Sequence, residues 1–172
     1  EAFDFARYCG HKAIGFTNLN NVQDFPEIQN ISKDYPDLKV VYGAKVFYEE
    51  NGQGAPLVTL LIKNQKGVKN LYKIISSEIE DGIPGVVDIK VIEKHRENLL
   101  LGASGDLSDL FWAIHNEESP DEIKKTALRY DYIELFPSND IKTRLVYKNI
   151  VKLGKELNIP VVATGDCHYY GQ

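Results

Sequence analysis

The sequence contains no methionine and only two cysteines among its 172 residues. Two cysteines are too few for a disulfide framework, which excludes the small disulfide-rich secreted domains. No apolar run approaches the roughly 18 residues that a membrane-spanning helix needs. Because no signal-peptide pattern opens the chain either, we predict a cytoplasmic protein that does not enter a membrane.

An excess of positive charge is also missing. The chain carries 20 Lys and Arg against 25 Asp and Glu, which gives a net charge of -5 and a pI of about 5.4. An acidic balance of this kind is not typical of a stand-alone nucleic-acid-binding domain. Any contact with DNA must therefore come from a local basic patch or from another part of a larger protein.

The length and composition are those of one globular domain. Hydrophobic residues make up 43% of the chain and charged residues 26%, close to globular averages, and a chain of this length can bury a core of its own. We predict one domain over 1–172, with an insertion or gap near 50–56, where Asn, Gly and Pro cluster. Because position 1 is Glu rather than Met, we expect a fragment of a longer protein.

Short apolar runs alternate with amphipathic stretches along the chain. The predicted strands are 13–17, 39–43, 57–62, 99–102, 132–135 and 160–164. The predicted helices are 2–8, 22–32, 67–76, 107–114 and a stretch that ends near 157. Apolar strands separated by helices favour parallel pairing, so the sequence predicts an α/β fold. Polar residues follow almost every strand, which favours a barrel over an open sheet.

Chemistry in parallel α/β folds collects at the carboxyl ends of the strands. After the last predicted strand, Asp166 and His168 form an Asp-x-His pair whose side chains point the same way if the chain stays extended. A carboxylate and an imidazole in this arrangement could hold Zn or Mn. A structural role is the alternative, in which Asp166 accepts hydrogen bonds at a turn and His168 packs beside Tyr169.

The other predicted strand ends add few metal ligands. They offer Asn18, Lys45 and Gly105, none of which is a good ligand for a divalent cation. A catalytic metal centre needs at least three protein ligands. The residues alone therefore favour a chain without a complete metal centre.

Basic residues cluster around the predicted helix 67–76. They are Lys63, Lys66, Lys69 and Lys73. These lysines could contact phosphate or DNA, because backbone N–H groups at a helix start also bind anions. The solvated face of an amphipathic helix explains the same pattern, and both interpretations stay open.

Several separated segments resemble one known family, in that family's order. They are Gly10-His11-Lys12-Ala13-Ile14, the run from Lys63 to Lys73 with its Asn64, Gly67 and Asn70, the run from Glu93 to Gly102, and the run from Asn149 to Tyr169. The family is the polymerase-and-histidinol-phosphatase (PHP) domain of bacterial DNA polymerase III alpha subunits, and the PolC type is the most similar. The resemblance implies a distorted seven-stranded (β/α) barrel with a metal cluster at its mouth, and a first strand missing from this chain.

The chain departs from the family pattern at most of its metal positions. Where the family has Thr-Asp-His-Gly, this chain has Asn18 and Leu19 in place of the Asp and His. Lys45 replaces a family Glu, and Gly105 falls in the family's Ser-x-Cys position. An ammonium in place of a carboxylate removes a ligand and opposes a bound cation. Asp166 and His168 keep the family's residue types and are the vestigial metal candidates.

The resemblance also implies a function. It indicates the PHP domain of a DNA polymerase III alpha-type protein, a DNA-directed DNA polymerase whose Mg-dependent nucleotidyl transfer occurs elsewhere in the parent chain. In the PolC type an exonuclease domain is inserted where 47–56 stands here. We expect this domain to be a scaffold with no cofactor of its own. Its expected partners are the rest of the polymerase chain, DNA through that chain, and replisome subunits.

Two alternatives stay open. One is an active phosphoesterase or exonuclease, in which Zn or Mn would supply a metal-bound hydroxide for attack on phosphorus. The other is a non-catalytic module that binds a replisome partner through its surface. The first alternative needs more metal ligands than the sequence offers, and the second differs from a scaffold in whether a polymerase follows Gln172.

Overall fold

The structure, a computed structural model, describes residues 1–50, 52, 54–77 and 85–165. Asp166 and His168 lie outside the described residues, so the metal role of that pair stays a prediction. The described segments contain every other residue that the sequence analysis singled out as a site candidate.

The described ranges contain seven strands and seven α-helices, which alternate along most of the chain. The strands are β1 (Ala13–Leu19), β2 (Lys39–Glu49), β3 (Leu57–Ile62), β4 (Val86–Asp88), β5 (Leu99–Ser104), β6 (Tyr132–Leu135) and β7 (Val161–Ala163). The helices are α1 (Ala2–Tyr8), α2 (Phe25–Ile31), α3 (Gln65–Ile75), α4 (Ile89–His95), α5 (Asp109–His115), α6 (Pro120–Ala127) and α7 (Ile141–Leu157). Short 3-10 turns cover Ser32–Asp34 and Gly105–Leu107. The predicted α/β class is confirmed.

The strands form one sheet that curls into a half-barrel. Its order is β1-β2-β3-β5-β6-β7, and β4 pairs with β2 outside this path. The long strand β2 pairs with β1 through 39–45 and then with β4 through 47–49. The two strands therefore follow each other along one edge of β2, while β3 occupies the other edge.

The prediction of parallel pairing is wrong for β3. This strand runs antiparallel to both neighbours, with Thr59 opposite Lys45 of β2 and opposite Gly102 of β5. The connection between β2 and β3 is too short to hold a crossover helix, so the chain turns back as a hairpin. The Tyr48 N–H donates to the Pro56 carbonyl at 3.0 Å and closes that hairpin. The insertion or gap predicted near 50–56 falls on this turn and stays a prediction.

Sequence patterns missed β4, α4 and α6. Helix α4 ends at His95. The Asp88 side chain caps α4 by accepting from the Lys90 N–H at 2.8 Å. Ser119 caps α6 in the same way. Both helices are short and bury few residues, so their apolar periodicity is weak.

Helices cover one face of the sheet and bury its apolar residues. The main core draws these from alternate strand positions: Ala44, Val46, Tyr48, Val58, Leu60, Leu101, Ala103 and Ile133. Leu71 and Ile74 of α3, Ile92 of α4 and Ile150 of α7 pack against them. Because side chains alternate between the faces of a strand, the intervening residues point to the opposite side, which we call the inner face.

Helix α3 is fixed to the sheet by the amides and the glycine of its motif. Asn64 caps the helix and donates from its Nδ2 to the Asn98 Oδ1 at 2.8 Å. Asn70 donates from its Nδ2 to the Glu97 carbonyl at 2.7 Å. A side chain at Gly67 would overlap the Asn98 carbonyl oxygen. The family-like motif around α3 is therefore explained by helix docking.

We expect Gly67→Ala to lower the free energy of unfolding by about 1–3 kcal/mol, because the added Cβ meets backbone rather than a flexible side chain. Urea denaturation followed by circular dichroism measures this. The matched control is Gly15→Ala, where an added Cβ meets nothing within 4 Å. Equal stability of the two variants would contradict the docking of α3 through Gly67.

Candidate site on the inner face of the sheet

The inner face carries a group of buried polar side chains at its centre. Lys45, Thr59, Ser104 and Glu134 are exposed by only 9%, 1%, 0% and 6%. Lys45 and Thr59 are neighbours across the β2-β3 ladder, and Ser104 and Glu134 are neighbours across the β5-β6 ladder. Tyr132 lies two residues before Glu134 on the same face. We call these five residues the inner-face cluster.

Hydrogen bonds join three strands within the inner-face cluster. The Thr59 hydroxyl donates to the Glu134 Oε2 at 3.1 Å and lies 2.6 Å from the Ser104 Oγ. Because the single Thr59 proton is used on Glu134, Ser104 is the donor in the second bond. The Tyr132 hydroxyl donates to the Glu134 Oε1 at 3.1 Å. Both carboxylate oxygens of Glu134 therefore accept a hydrogen bond from a hydroxyl group.

Lys45 lies inside β2, and the prediction that this strand ends at 43 is wrong. The strand continues to Glu49 because its last residues pair with β3 and β4. The Lys45 side chain points to the inner face, where its Nζ is 4.9 Å from the centroid of the Phe136 ring. An ammonium over an aromatic face is stabilised by the ring's negative charge density.

Two glycines make room for the aromatic rings beside the cluster. A Cβ at Gly102 would overlap the Tyr132 ring, and a Cβ at Gly105 would overlap the Phe136 ring. Gly105 also has a φ of 53°, a left-handed conformation that favours glycine. The structure therefore explains Gly105, predicted as a degenerate metal position, by packing and backbone conformation.

Asn18 and Leu19 are separated by the alternation of β1. The Asn18 Nδ2 donates to the Asp24 Oδ2 at 2.7 Å, on the side of the strand that also carries Ile14 and Phe16. Leu19 is the ladder partner of Lys45 and is 49% exposed. Of these two predicted positions, only Leu19 thus shares the inner face with Lys45.

The chemistry of the inner-face cluster does not fit a multinuclear metal centre. Within the described ranges, no group of three or more His, Cys, Asp or Glu side chains could hold a metal ion. The cluster combines an ammonium with a carboxylate, and hydroxyl groups already bind both oxygens of that carboxylate. Metal sites of this kind are built from several carboxylates and imidazoles.

The lysines predicted to contact phosphate all lie on the surface. Lys63, Lys66, Lys69 and Lys73 are exposed. The backbone N–H groups of Lys66 and Gly67 do not serve as an anion site, because both donate to the Asn64 Oδ1, at 3.0 and 3.4 Å. The contact of these lysine side chains with phosphate or DNA stays a prediction.

Sequence reasoning missed Thr59, Ser104, Tyr132 and Glu134 as members of one site. A signal was present, because Thr59 and Glu134 are each a polar residue inside an otherwise apolar strand. An isolated polar residue in a buried strand needs a hydrogen-bond partner. The sequence does not show which residue that partner is.

A second buried polar network lies on the helix-covered side of the sheet. The Tyr48 hydroxyl donates to the Asp109 Oδ2 at 2.7 Å, and the Tyr130 hydroxyl donates to the Asp109 Oδ1. Arg129 lies 3.4 Å from the same carboxylate and 3.1 Å from the Glu50 Oε2. The network ties the start of α5 to the end of β2, next to the hairpin.

We expect Thr59→Val to lower the free energy of unfolding by about 1–3 kcal/mol, because Glu134 loses a donor and Ser104 loses an acceptor in a buried site. The two side chains have nearly the same shape, so denaturant titration reports the lost hydroxyl. The control is Thr126→Val in α6, whose side chain makes no hydrogen bond within the described part of the chain. A change no larger than the control's would contradict the bonding assigned to Thr59.

Burial, followed by nearby carboxylates, raises the pKa of three tyrosines. They are Tyr48 and Tyr130 beside Asp109, and Tyr132 beside Glu134. A raised pKa means that folding favours the protonated phenol. This contribution to stability is present below the unfolded pKa of about 10 and is lost as the pH rises above that value.

We therefore expect these three tyrosines to stay protonated in the folded chain at about pH 11, where solvated tyrosines ionise. Ultraviolet absorbance of tyrosinate measures the ionised fraction. Replacing any one of these tyrosines by Phe should leave the tyrosinate absorbance of the folded protein at this pH unchanged. In guanidinium, where the chain is unfolded, the absorbance should fall by the contribution of one tyrosine. A folded amplitude that falls as well would show that the replaced phenol is accessible to hydroxide.

Most of the chain matches the model of a known protein family. Residues 1–141 match the PHP domain, and the chain therefore belongs to the PHP family. No described helix is long and apolar enough to cross a membrane.

Curated proteins similar to this chain include PolC-type DNA polymerases III. The chain is 30% identical over 171 residues to the DNA polymerase III PolC-type of Thermotoga maritima, an alignment that covers 92% of this chain and 11% of that protein. It is 34% identical over 128 residues to the DNA polymerase III PolC-type of Staphylococcus epidermidis, covering 65% of this chain and 9% of that protein. The chain thus spans about a tenth of the length of these relatives, and the resemblance noted in the sequence is confirmed.

A solved structure from Bifidobacterium adolescentis, described as a candidate metal-dependent phosphoesterase, has a similar fold. The TM-score is 0.64, and the match covers 99% of this chain and 82% of the other. The sequences are 10% identical, so the similarity concerns the fold and not the activity.

Proposed function

We propose that this chain is the PHP domain of a DNA polymerase III alpha-type replicative polymerase and acts there as a non-catalytic scaffold. DNA synthesis would be carried out elsewhere in the parent chain with Mg. The proposed partners are the rest of that chain, DNA through it, and replisome subunits in the cytoplasm. This domain would need no cofactor of its own.

The observation that carries the proposal is the buried Lys45. It stands where the resemblance places a metal-binding Glu, and it points to the inner face over the Phe136 ring. Two unit charges about 4 Å apart repel by about 4 kcal/mol at an effective dielectric constant of 20, and a divalent ion would be repelled more strongly. Lys45 therefore disfavours a metal ion in the place where the family would bind one.

The hydrogen bonding of Glu134 supports the same proposal. Its two oxygens accept from Thr59 and Tyr132, and the pKa of Tyr132 is raised by burial and by the Glu134 charge, so the phenol stays a donor. Two hydroxyl groups thus already occupy part of the acceptor capacity of Glu134, and one carboxylate alone falls short of the three protein ligands that a metal centre needs. The cluster is suited to joining β3, β5 and β6 within the fold.

The experiment that tests the proposal is the metal content of the purified chain after incubation with Zn or Mn and removal of free ion. We expect less than about a tenth of an equivalent, because a stable site needs at least three ligands. The matched control is the double variant Asp166→Ala, His168→Ala, which should give the same value.

One equivalent or more in the unmodified chain, lost in the double variant, would overturn the scaffold proposal and support an active phosphoesterase. Hydrolysis of an activated phosphodiester, assayed on the same samples, provides a second readout. Metal-dependent hydrolysis that disappears in the double variant would lead to the same conclusion.

A further inference from the structure

The longest helix of the described chain carries a line of basic side chains that the scaffold proposal does not use. The helix is α7, and the line, which we call the α7 stripe, consists of Arg144, Lys148, Lys152 and Lys155. All four residues are exposed. The buried side of the same helix packs on the sheet and on α5.

The spacing places these cations on one side of α7. Offsets of four, eight and eleven residues from Arg144 fall within about 80° of the helix circumference, and the line is about 16 Å long. Asp140, which precedes the helix, is used as its cap and binds the Thr143 N–H at 2.7 Å. No carboxylate occurs in the sequence between Asp140 and Glu156.

The positive charge of the α7 stripe is not neutralised by the described residues. Glu156, the acidic residue in the last turn of α7, is 2.8 Å from the Lys124 Nζ of α6. Elsewhere, cations such as Arg7, Arg96 and Arg129 are paired with carboxylates. None of the stripe's four side chains forms an ion pair within the described ranges.

The helix holds the stripe on a rigid support. Val146, Ile150 and Leu153 are buried on the side of α7 that faces the main core. A Cβ at Gly154 would overlap the Val161 side chain, so the end of α7 lies directly against β7. Charged groups on a fixed helix lose less conformational freedom on binding than the same groups on a loop.

We propose that the α7 stripe binds the phosphate backbone of a DNA strand. A line of evenly spaced cations matches a polymer that carries one negative charge per about 3.4 Å of each strand, and about 16 Å of helix spans roughly five nucleotides. The whole chain has a net charge of -5 even with the four cations of the stripe included, so a polyanion would be held at the basic stripe and repelled elsewhere.

The lysines around α3 are the natural comparison, because they are equally exposed. The cations within α3 are Lys66, Lys69 and Lys73, and they span about 10 Å of helix. The α7 stripe has one more cation and is about 16 Å long, so it can contact more phosphates along a strand. We expect α7 to contribute more than α3 to DNA binding.

The test compares two variants that reverse the same number of charges. One is Arg144→Glu, Lys148→Glu, Lys152→Glu on α7, and the other is Lys66→Glu, Lys69→Glu, Lys73→Glu on α3. Binding of a fluorescently labelled single-stranded DNA and of its duplex is measured by anisotropy as a function of salt. Circular dichroism confirms that both variants are folded, and Lys148→Arg with Lys152→Arg tests whether positive charge is sufficient.

We expect the α7 variant to bind DNA at least tenfold more weakly than the unmodified chain. The slope of the logarithm of the binding constant against the logarithm of the salt concentration should become shallower by about 0.7 to 0.9 for each lost phosphate contact. The α3 variant should lose several-fold less, and the Arg double variant should bind like the unmodified chain. Equal losses in the two triple variants, a larger loss on α3, or no DNA binding by the unmodified chain would each overturn the proposal. A polyglutamate peptide that binds as tightly as DNA would also overturn it, in favour of an acidic protein partner.

The outcome does not depend on the scaffold proposal, since metal content and DNA binding are measured separately. If the unmodified chain binds metal and the α7 variant binds DNA more weakly, the scaffold proposal is wrong and the DNA-binding proposal is supported. If the unmodified chain binds no metal and the α7 variant binds DNA as tightly as before, the scaffold proposal is supported and the DNA-binding proposal is wrong.

Discussion

The buried carboxylate of Glu134 is the group around which the inner face of the sheet is organised. An unpaired charge in this position would be strongly destabilising, and Thr59 from β3 and Tyr132 from β6 prevent this by donating to its two oxygens. Ser104 of β5 completes the arrangement through Thr59. Side chains from three strands thus satisfy one charge, which requires these strands to keep their register, including the antiparallel course of β3.

The same arrangement bears on function. A fold depends on its apolar core, whereas an activity depends on a few residues at the site, so the two can change independently. Here the core under α3, α4 and α7 is complete, while the inner face presents Lys45 and a carboxylate bound by hydroxyl groups. The proposed scaffold role combines the family resemblance with the residues on the inner face, and the proposed DNA contact depends on the exposed cations of α7.

Much of the local structure could be predicted from the sequence. The bounds of α1, β3 and β6 agree residue for residue with the prediction, because the periodicity of apolar residues within a short segment indicates its secondary structure. Asn18, Lys45 and Gly105 stand where the resemblance implies metal ligands, and their weakness as ligands stays a prediction from residue type. The cap of α3 could not be predicted in this way. The sequence shows Asn64 only as part of a family-like motif, and its hydrogen bond to Asn98 depends on a turn far away in the sequence.

The sequence by itself determined the α/β class, the family, the acidic balance and the positions of most helices and strands, because these depend on composition and on periodicity within short segments. Only the tertiary structure decided that β3 runs antiparallel, that Lys45 and Glu134 lie on one buried face, and that the basic side of α7 is exposed. Those outcomes depend on which strands become neighbours and on which side of each helix meets the sheet. Contacts between distant segments set both, and no local pattern records them.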